Sequence, residues 1–370
     1  MRTVVVSDLH LGAQRATDVL RRPEPLAAFC AHLEGAGRLV LLGDAIELRH
    51  GPARDALAMA EPVLAAIGAA LGPAGEIVLV PGNHDHGLLT PWLRARGARR
   101  RPRPLALDEA AGPRATPAVR RLAAAAAPAT LSVRYPGLWL REDVYATHGH
   151  YLDCVTTLPA FERLGAGITT RIMGPLPAGP GAATPDDFEA RLGPMYAFLD
   201  ALAETRDGRW ARGPSGSSAS ASAWDTLSSS NRGPLRARAL AGLFPLGILG
   251  LNRVGIGPLK AELTGEALRD AGLAAMGDAL ARLGVDAPHV VFGHTHRAGP
   301  LPDDDPAPWR TPAGTQLHNC GCWSDEPVLT RGGPQSPYWA GRGVEVDADG
   351  PPRLVRIIED LGTAETREGD

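Results

Sequence analysis

Acidic and histidine side chains recur at short spacing in five places along this chain of 370 residues. Alone, each group is a weak signal, because a lone Asp-x-His is more often a helix cap beside a surface histidine, and Gly-Asp is a common turn pair. Together they supply two carboxylates, one amide and four imidazoles, which suit ions such as Mn, Fe, Zn or Ni. The sequence therefore predicts a metal centre. The groups are Asp8-Leu9-His10, Gly43-Asp44, Gly82-Asn83-His84-Asp85, His148 and Gly293-His294-Thr295-His296.

Each group follows a segment that has the pattern of a β-strand. Val4 to Val6 is a continuous β-branched run, typical of a strand buried on both faces. The first three strands are separated by predicted helices at 25–35 and 54–71, and this βαβαβ start predicts an α/β fold. Ligands bind at the carboxyl edge of such sheets, so the five groups are expected to meet there. The other four strands are predicted at 38–42, 76–80, 144–147 and 289–292.

The rest of the chain is predicted to complete this core and to interrupt it once. Residues 1–150 and 289–360 are expected to form the core, with a mainly helical insertion at 151–288 and a flexible tail at 361–370. Residues 97–130 are predicted as loop plus one short helix, and the run at 213–223, rich in Ser, Gly and Ala, as a flexible loop. Further strands are predicted at 131–135, 316–323, 338–347 and 353–359, and helices at 185–205, 236–242 and 265–283.

The order of the five groups resembles that of the calcineurin-like metallophosphoesterase superfamily. SDLHLG at 7–12 and HNCGCW at 318–323 are similar to further features of that family. The resemblance implies a four-layer αββα sandwich with a large helical insertion, and a site that holds two divalent metal ions. It assigns Asp8, His10 and His296 to the first ion, Asn83, His148 and His294 to the second, and Asp44 to both as the bridge.

The same resemblance implies hydrolysis of a phosphomonoester, phosphodiester or diphosphate by in-line attack of a hydroxide that bridges two ions. Mn is the expected ion, with Fe, Zn or Ni as alternatives. His84 is expected to assist the leaving group, and Asp85 to accept a hydrogen bond from the His84 ring and fix its tautomer. His150 and Asp153 are expected either to line the site or to serve local structure. Arg297 is expected to meet a substrate phosphate or to be exposed.

The substrate is expected to depend on the insertion. Its most apolar part, at 243–259, is too short and too broken by Gly and Pro to span a membrane, which leaves a buried helical cap or a lid over an apolar part of the substrate. GDAIEL at 43–48 is similar to GDLFE of the UDP-2,3-diacylglucosamine hydrolases, so a lipid-linked diphosphate is one alternative. That subgroup usually has arginine where this chain has His84. A catalytically silent metal-binding scaffold is another alternative, but no ligand is missing.

Charge and cysteine content limit the partners. A formal net charge of −3 gives no general case for a nucleic-acid partner, and a small phosphate ester or nucleotide-like molecule is expected instead. The strand pattern begins directly after Met1, so no membrane segment is predicted and a cytoplasmic location is expected. Cys320 and Cys322 are two apart in a strand-like run, which predicts that they share one face, either as packing thiols or as a metal or redox pair.

Overall fold

A computed structural model describes residues 1–14, 16–205, 247–260, 265–326, 329–330, 333–359 and 361. The predicted helix at 236–242, the predicted loop at 213–223 and residues 362–370 of the predicted tail lie outside this part. Within it, the fold combines helices with one large mixed sheet, which confirms the α/β class. No described helix has the length and hydropathy needed to span a bilayer.

Ten strands form the sheet, and seven helices of eight residues or more have their bounds within the described residues. The strands are β1 Thr3–Val6, β2 Arg38–Leu42, β3 Glu76–Val80, β4 Asp108–Ala111, β5 Thr130–Arg141, β6 Val144–Thr147, β7 His289–Phe292, β8 Gln316–Asn319, β9 Arg342–Val346 and β10 Arg353–Arg356. The helices are α1 Pro23–Leu33, α2 Ala53–Leu71, α3 Thr90–Gly97, α4 Pro117–Ala125, α5 Phe161–Met173, α6 Pro185–Ala203 and α7 Gly265–Leu283. Residues 247–253 are also helical.

The sheet has two halves joined by the long strand β5. Its order is β10-β9-β1-β2-β3-β5-β6-β7-β8, with β4 paired to β5. The first residues of β5 pair in parallel with β3, and its later residues pair antiparallel with β6. In one half β1, β2 and β3 run parallel, and in the other β6, β7 and β8 run parallel. The loops that follow these strands carry all five groups of polar residues.

Side chains alternate between the two faces of each strand, so neighbouring residues pack in different cores. Val4 and Val6 of β1 pack with α1 and α2, whereas Val5 lies in a buried cluster with residues of both halves, including Val291 of β7. Val290 on the opposite face of β7 packs with Met276 of α7 and its neighbours. Each half therefore has helices on one face and shares a core with the other half on its second face.

The segment between β6 and α7 has a small core of its own. Helices α5 and α6 pack against each other and against the turn at His150–Cys154. Tyr151, Phe188 and Tyr196 are buried at their junction, and Ala279 of α7 belongs to the same cluster. This packing fixes α5 and α6 beside the loop that carries His148.

Most element boundaries agree with the predictions, and the differences have local causes. Strand β4 was not predicted, because its sequence DEAA becomes a strand only by pairing with β5. Helix α5 was not predicted either; its apolar side chains Ile168 and Ile172 are 53% and 79% exposed, so its burial does not follow its sequence pattern. The predicted strands at 316–323 and 338–347 are too long, because the backbone has positive φ at Gly321 and Gly341.

The cysteines that follow β8 do not share a face as predicted. Cys320 lies in the core between the two halves of the sheet. Gly321 turns the backbone, so the Cys322 thiol instead donates to the carbonyl oxygen of Tyr338 at 3.5 Å. Both thiols are reduced and buried, which agrees with packing.

Candidate metal centre

The seven predicted ligands come together at the carboxyl ends of β1, β2, β3, β6 and β7. The backbone there is strained: six described residues other than glycine have positive φ, and five of them belong to this group. Such conformations cost free energy and persist mainly where function requires them. The five are Asp8 (57°), His10 (47°), Asp44 (51°), His294 (66°) and His296 (60°).

Glycine is required where ligand loops approach each other closely. Gly43 has a φ of +87°, and a Cβ there would overlap the His148 ring. A Cβ on Gly82 would overlap both the Asp44 carboxylate and the His148 ring. These two glycines therefore let the loops after β2 and β3 bring polar side chains together.

One cluster contains Asp8, His10 and His296. The Nε2 atoms of His10 and His296 are 3.2 Å apart, and His296 Nε2 lies 3.2 Å from Asp8 Oδ1. Asp8 Oδ1 is buried and makes no hydrogen bond within the described part of the chain. The Ser7 hydroxyl donates to Asp8 Oδ2 at 2.6 Å. These atoms lie close enough to hold one metal ion.

A second cluster contains Asp44, His148 and His294, with Asn83 beside them. His148 Nδ1 donates to the Leu42 carbonyl at 2.9 Å, so the lone pair of a neutral ring is on Nε2. That atom faces Asn83 Oδ1 at 3.1 Å and Asp44 Oδ2 at 3.2 Å. A cation, a proton or the nitrogen of a reversed Asn83 amide must therefore lie among these atoms. This donor set therefore fits a bound cation.

The two clusters are contiguous. Ligand-type atoms of His10, Asp44 and His84 also lie within 4.8 Å of one another. Asp44 Oδ1 accepts from the backbone N–H of His84 at 2.7 Å, while Asp44 Oδ2 faces His148. Asp44 therefore lies where the two clusters meet.

The electrostatic field of the site favours positive charge. Burial opposes ionisation of Asp8, but His296 outweighs it and lowers the pKa of Asp8 to about 2. Burial also disfavours a charged His148, yet Asp44 raises the pKa of His148 to about 9. The pKa of His296 is raised well above its usual value against burial, mainly by Asp8. Buried carboxylates thus attract a proton, or a metal ion in its place.

The predicted hydrogen bond between His84 and Asp85 is wrong. The Asp85 carboxylate accepts backbone N–H groups instead, from Gly82 at 2.6 Å and from Ala45 at 2.8 Å. Burial and the charge of Asp44 raise the pKa of Asp85 to about 6. Asp85 therefore ties the loop after β3 to the loop after β2, and its side chain points away from the His84 ring.

Glu47 occupies the role predicted for Asp85. Its carboxylate lies 2.9 Å from His84 Nδ1 and 2.9 Å from His10 Nδ1. Burial would raise the pKa of Glu47, but the pKa is lowered well below its usual value because His84 and its neighbours outweigh burial. Glu47 is not among the predicted site residues, although it lies within GDAIEL at 43–48. The sequence feature that could have identified Glu47 is a single acidic residue inside an apolar run.

Of the other candidate residues, Asp153 contacts a predicted ligand, whereas His150 and Arg297 make local structural contacts. Asp153 Oδ2 lies 3.0 Å from His294 Nε2, so Asp153 orients a predicted ligand. His150 is buried and contacts the Tyr135 hydroxyl at 3.2 Å, a local structural role. Arg297 donates to Asp304 at 3.0 Å and lies over the Trp309 ring, so its charge is already paired.

The chain was also compared with known proteins. Neither the protein-family models nor the curated proteins gave a match.

Proposed function

We propose that this protein is a metal-dependent phosphoesterase with two ions in one centre. The observation that carries the proposal is the pair of contiguous clusters that meet at Asp44. Acceptor atoms face one another in each cluster, and the pKa values of His148 and His296 are raised there. A site that favours positive charge at two adjoining places is what phosphoryl transfer to water needs.

The donor atoms of the seven predicted ligands support a two-ion centre. Asp8, His10 and His296 would hold one ion, and Asn83, His148 and His294 the other, with Asp44 shared. Mn is the ion we expect, and the mixed nitrogen and oxygen donors also suit Fe, Zn or Ni. When bound, the ions would neutralise charge on the phosphoryl group and make water more acidic.

The chain itself would position the proton donor. His84 Nδ1 is engaged by Glu47, which leaves His84 Nε2 as the nitrogen that can reach a leaving-group oxygen. The His84 side chain is 21% exposed and its ring lies edge-on to His10 at 4.7 Å. Burial lowers the pKa of His84, and the charge of Glu47 partly opposes this. Glu47 therefore orients the ring and stabilises the protonated form that can donate.

The fold supports the same proposal. The two halves of the sheet share a core and have helices on their other faces, which is consistent with the αββα sandwich of the calcineurin-like metallophosphoesterases. Residues 1–150 and 289–360 would then be the core, and 151–288 the insertion. Helix α5 of that insertion lies next to the site, because Glu162 pairs with Arg49 at 2.9 Å.

One observation favours the narrower alternative of a lipid-linked diphosphate substrate. Helix α5 begins beside the site and exposes apolar side chains along its length, including Phe161, Ile168 and Ile172. An acyl chain would find apolar contacts there. A UDP-linked lipid should then be hydrolysed with Mn present, and Ile172→Glu should raise KM for it without affecting a short soluble diester.

Chromogenic substrates test the main proposal. Metal-depleted protein is assayed with a nitrophenyl phosphomonoester, a bis-nitrophenyl phosphodiester and a nucleoside diphosphate, before and after addition of Mn²⁺. We expect hydrolysis of at least one class that depends on Mn²⁺ and is lost in Asp44→Ala. If Mn²⁺ binds and no phosphate ester is turned over, the protein is a metal-binding scaffold and the proposal is wrong.

A further inference from the structure

The Asn83 amide lies between two groups that compete for its oxygen. Asn83 Oδ1 faces His148 Nε2 and His294 Nδ1, each at 3.1 Å, as a ligand to an ion should. On its other side is the guanidinium of Arg49. The amide has one oxygen, so it can serve only one of these sides at a time.

Reversing the amide gives a different set of hydrogen bonds. The Asn83 nitrogen would then donate its two hydrogens to Asp44 Oδ2 and His294 Nδ1, each at 3.1 Å, and the oxygen would accept from Arg49 Nη1 at 3.2 Å. This orientation satisfies both of these acceptors and the Arg49 Nη1 donor without a cation. The forward orientation leaves two donors, the amide nitrogen and Arg49 Nη1, facing each other. A metal ion must therefore displace a well-bonded amide.

Arg49 is fixed in place by the segment between β6 and α7. The Arg49 side chain is buried, donates to Glu162 at 2.9 Å and lies over the Tyr196 ring at 5.2 Å. Its Nε and Nη2 atoms make no hydrogen bond with any described residue. An arginine cannot lose its charge, and a buried one that is short of acceptors attracts any oxygen within reach.

No such competition exists at the first cluster. Its ligands are Asp8, His10 and His296, and a carboxylate has two oxygens and cannot present a donor. Asp8 Oδ2 is held by Ser7, while Oδ1 faces the two rings. His10 is held by Glu47 through Nδ1, so its Nε2 already points inward. An ion at this cluster would displace no reversed amide.

We infer that Arg49 weakens binding of the second ion by holding the Asn83 amide in its reversed, metal-free orientation. The inference rests on the proposed two-ion function and adds an order of filling to it. The cluster of Asp8, His10 and His296 fills first. The second ion binds more weakly, with an affinity that α5 and α6 set through Glu162 and Tyr196. Arg49 acts here as a positioning residue.

Metal binding tests this without reference to activity. Metal-depleted wild-type protein is dialysed against a Mn²⁺ series, and bound metal is measured by mass spectrometry. We expect one tight and one weaker class of site, with the weaker class absent in Asn83→Ala. In Arg49→Met the weaker class should tighten roughly tenfold, the effect of losing about one hydrogen bond to a charged group. The tight class should not change.

Arg297→Met is the matched control. It removes an arginine next to the ligand His296, but that arginine is paired with Asp304. Arg297→Met should leave the ratio of Mn²⁺ affinities between the tight and the weaker class of site unchanged. An equal shift of both classes in Arg49→Met would be a general charge effect and would overturn the inference, as would a weaker class that stays the same or weakens. Failure of wild type to bind any Mn²⁺ would instead count against the proposed function.

A second variant is expected to shift the Mn²⁺ affinity of the weaker class in the opposite direction. Glu162→Gln neutralises the carboxylate that accepts from Arg49 and leaves the guanidinium more dependent on the Asn83 oxygen. The weaker class should then weaken further, while circular dichroism reports whether each variant is folded. Tightening of that class in Glu162→Gln would overturn the inference even if Arg49→Met does not fold.

Discussion

Two buried histidines in different parts of this protein, His148 and His318, have pKa values shifted in opposite directions. In the metal centre, the pKa of His148 is raised to about 9, because the attraction of Asp44 exceeds the cost of burial. On strands β7 and β8, His318 Nε2 lies 3.1 Å from His289 Nδ1, and the pKa of His318 is lowered to about 4 by burial and by its histidine neighbour.

The two pKa values differ because carboxylates surround His148, whereas burial and His289 account for the shift at His318. Burial alone removes charge from an imidazole, as it does at His318. Asp8 and Asp44 are themselves buried and reverse that tendency at His296 and His148. Burying two acids among imidazoles on strained backbone costs desolvation and conformational free energy. A cation held among these groups would offset that cost.

Replacing the acid shared by the two clusters should have the largest effect. Asp44→Ala removes a ligand of both proposed ions, so Mn²⁺-dependent hydrolysis should fall to the level measured without added metal. The raised pKa of His148 should also return towards that of His318, which NMR titration of metal-depleted protein would detect. Retention of Mn²⁺-dependent turnover would show that Asp44 is not at the reacting centre.

His84→Ala should lower kcat by about 10²- to 10⁴-fold while bound metal is retained, because loss of a general acid has this range of effect. The loss should be large for an alkyl phosphodiester, whose leaving group needs a proton, and small for a nitrophenyl diester. A loss that is equal for both leaving groups would assign His84 to binding.

The His289–His318 pair should make stability depend on pH. The pKa of His318 is about 4 when folded and near 6.5 when unfolded, so the unfolded chain binds the proton more tightly. Stability from this group is therefore present above pH 6.5 and is lost as the pH falls towards 4, by up to about 3 kcal/mol. Urea unfolding of His318→Gln should show a smaller loss over that window; an unchanged slope would contradict the assignment.

Glu47→Gln should lower both activity and Mn²⁺ affinity by about 10- to 100-fold, the usual effect of losing the partner that orients a ligand. The change acts through His10 and His84 together, so kcat and metal affinity should fall in the same variant. Asp85→Asn is the comparison, since it should mainly lower the free energy of unfolding. The reverse pattern would restore Asp85 to the role first predicted for it.

Much of the site could be predicted because ligand types follow strands in a fixed order. Asp8, Asp44 and Asn83 follow predicted strands directly, and parallel strands bring their carboxyl ends to one edge. The partner of His84 could not be predicted. Asp85 is adjacent in sequence, but the chain turns after β3 and directs that carboxylate to backbone N–H groups. Glu47 reaches His84 from another loop.

The same limit applies to the fold. Continuous apolar strands such as β1 are visible in the sequence because burial on both faces leaves no polar residue. Strand β4 forms only through its partner β5, and helix α5 exposes apolar side chains, so neither follows the usual relation between sequence pattern and burial. Arg49 is likewise an ordinary arginine in the sequence, and only packing places it against Asn83 and Glu162.

The central claim is that two ions share Asp44, and electron paramagnetic resonance tests it most directly. Metal-depleted protein is titrated with Mn²⁺ to more than two equivalents, and spectra are recorded for wild type and Asp44→Asn. We predict the signal of isolated Mn²⁺ at low loading, the signal of magnetically coupled Mn²⁺ pairs as the second site fills, and loss of coupling in Asp44→Asn. Only isolated Mn²⁺ at every loading of wild type would contradict the account.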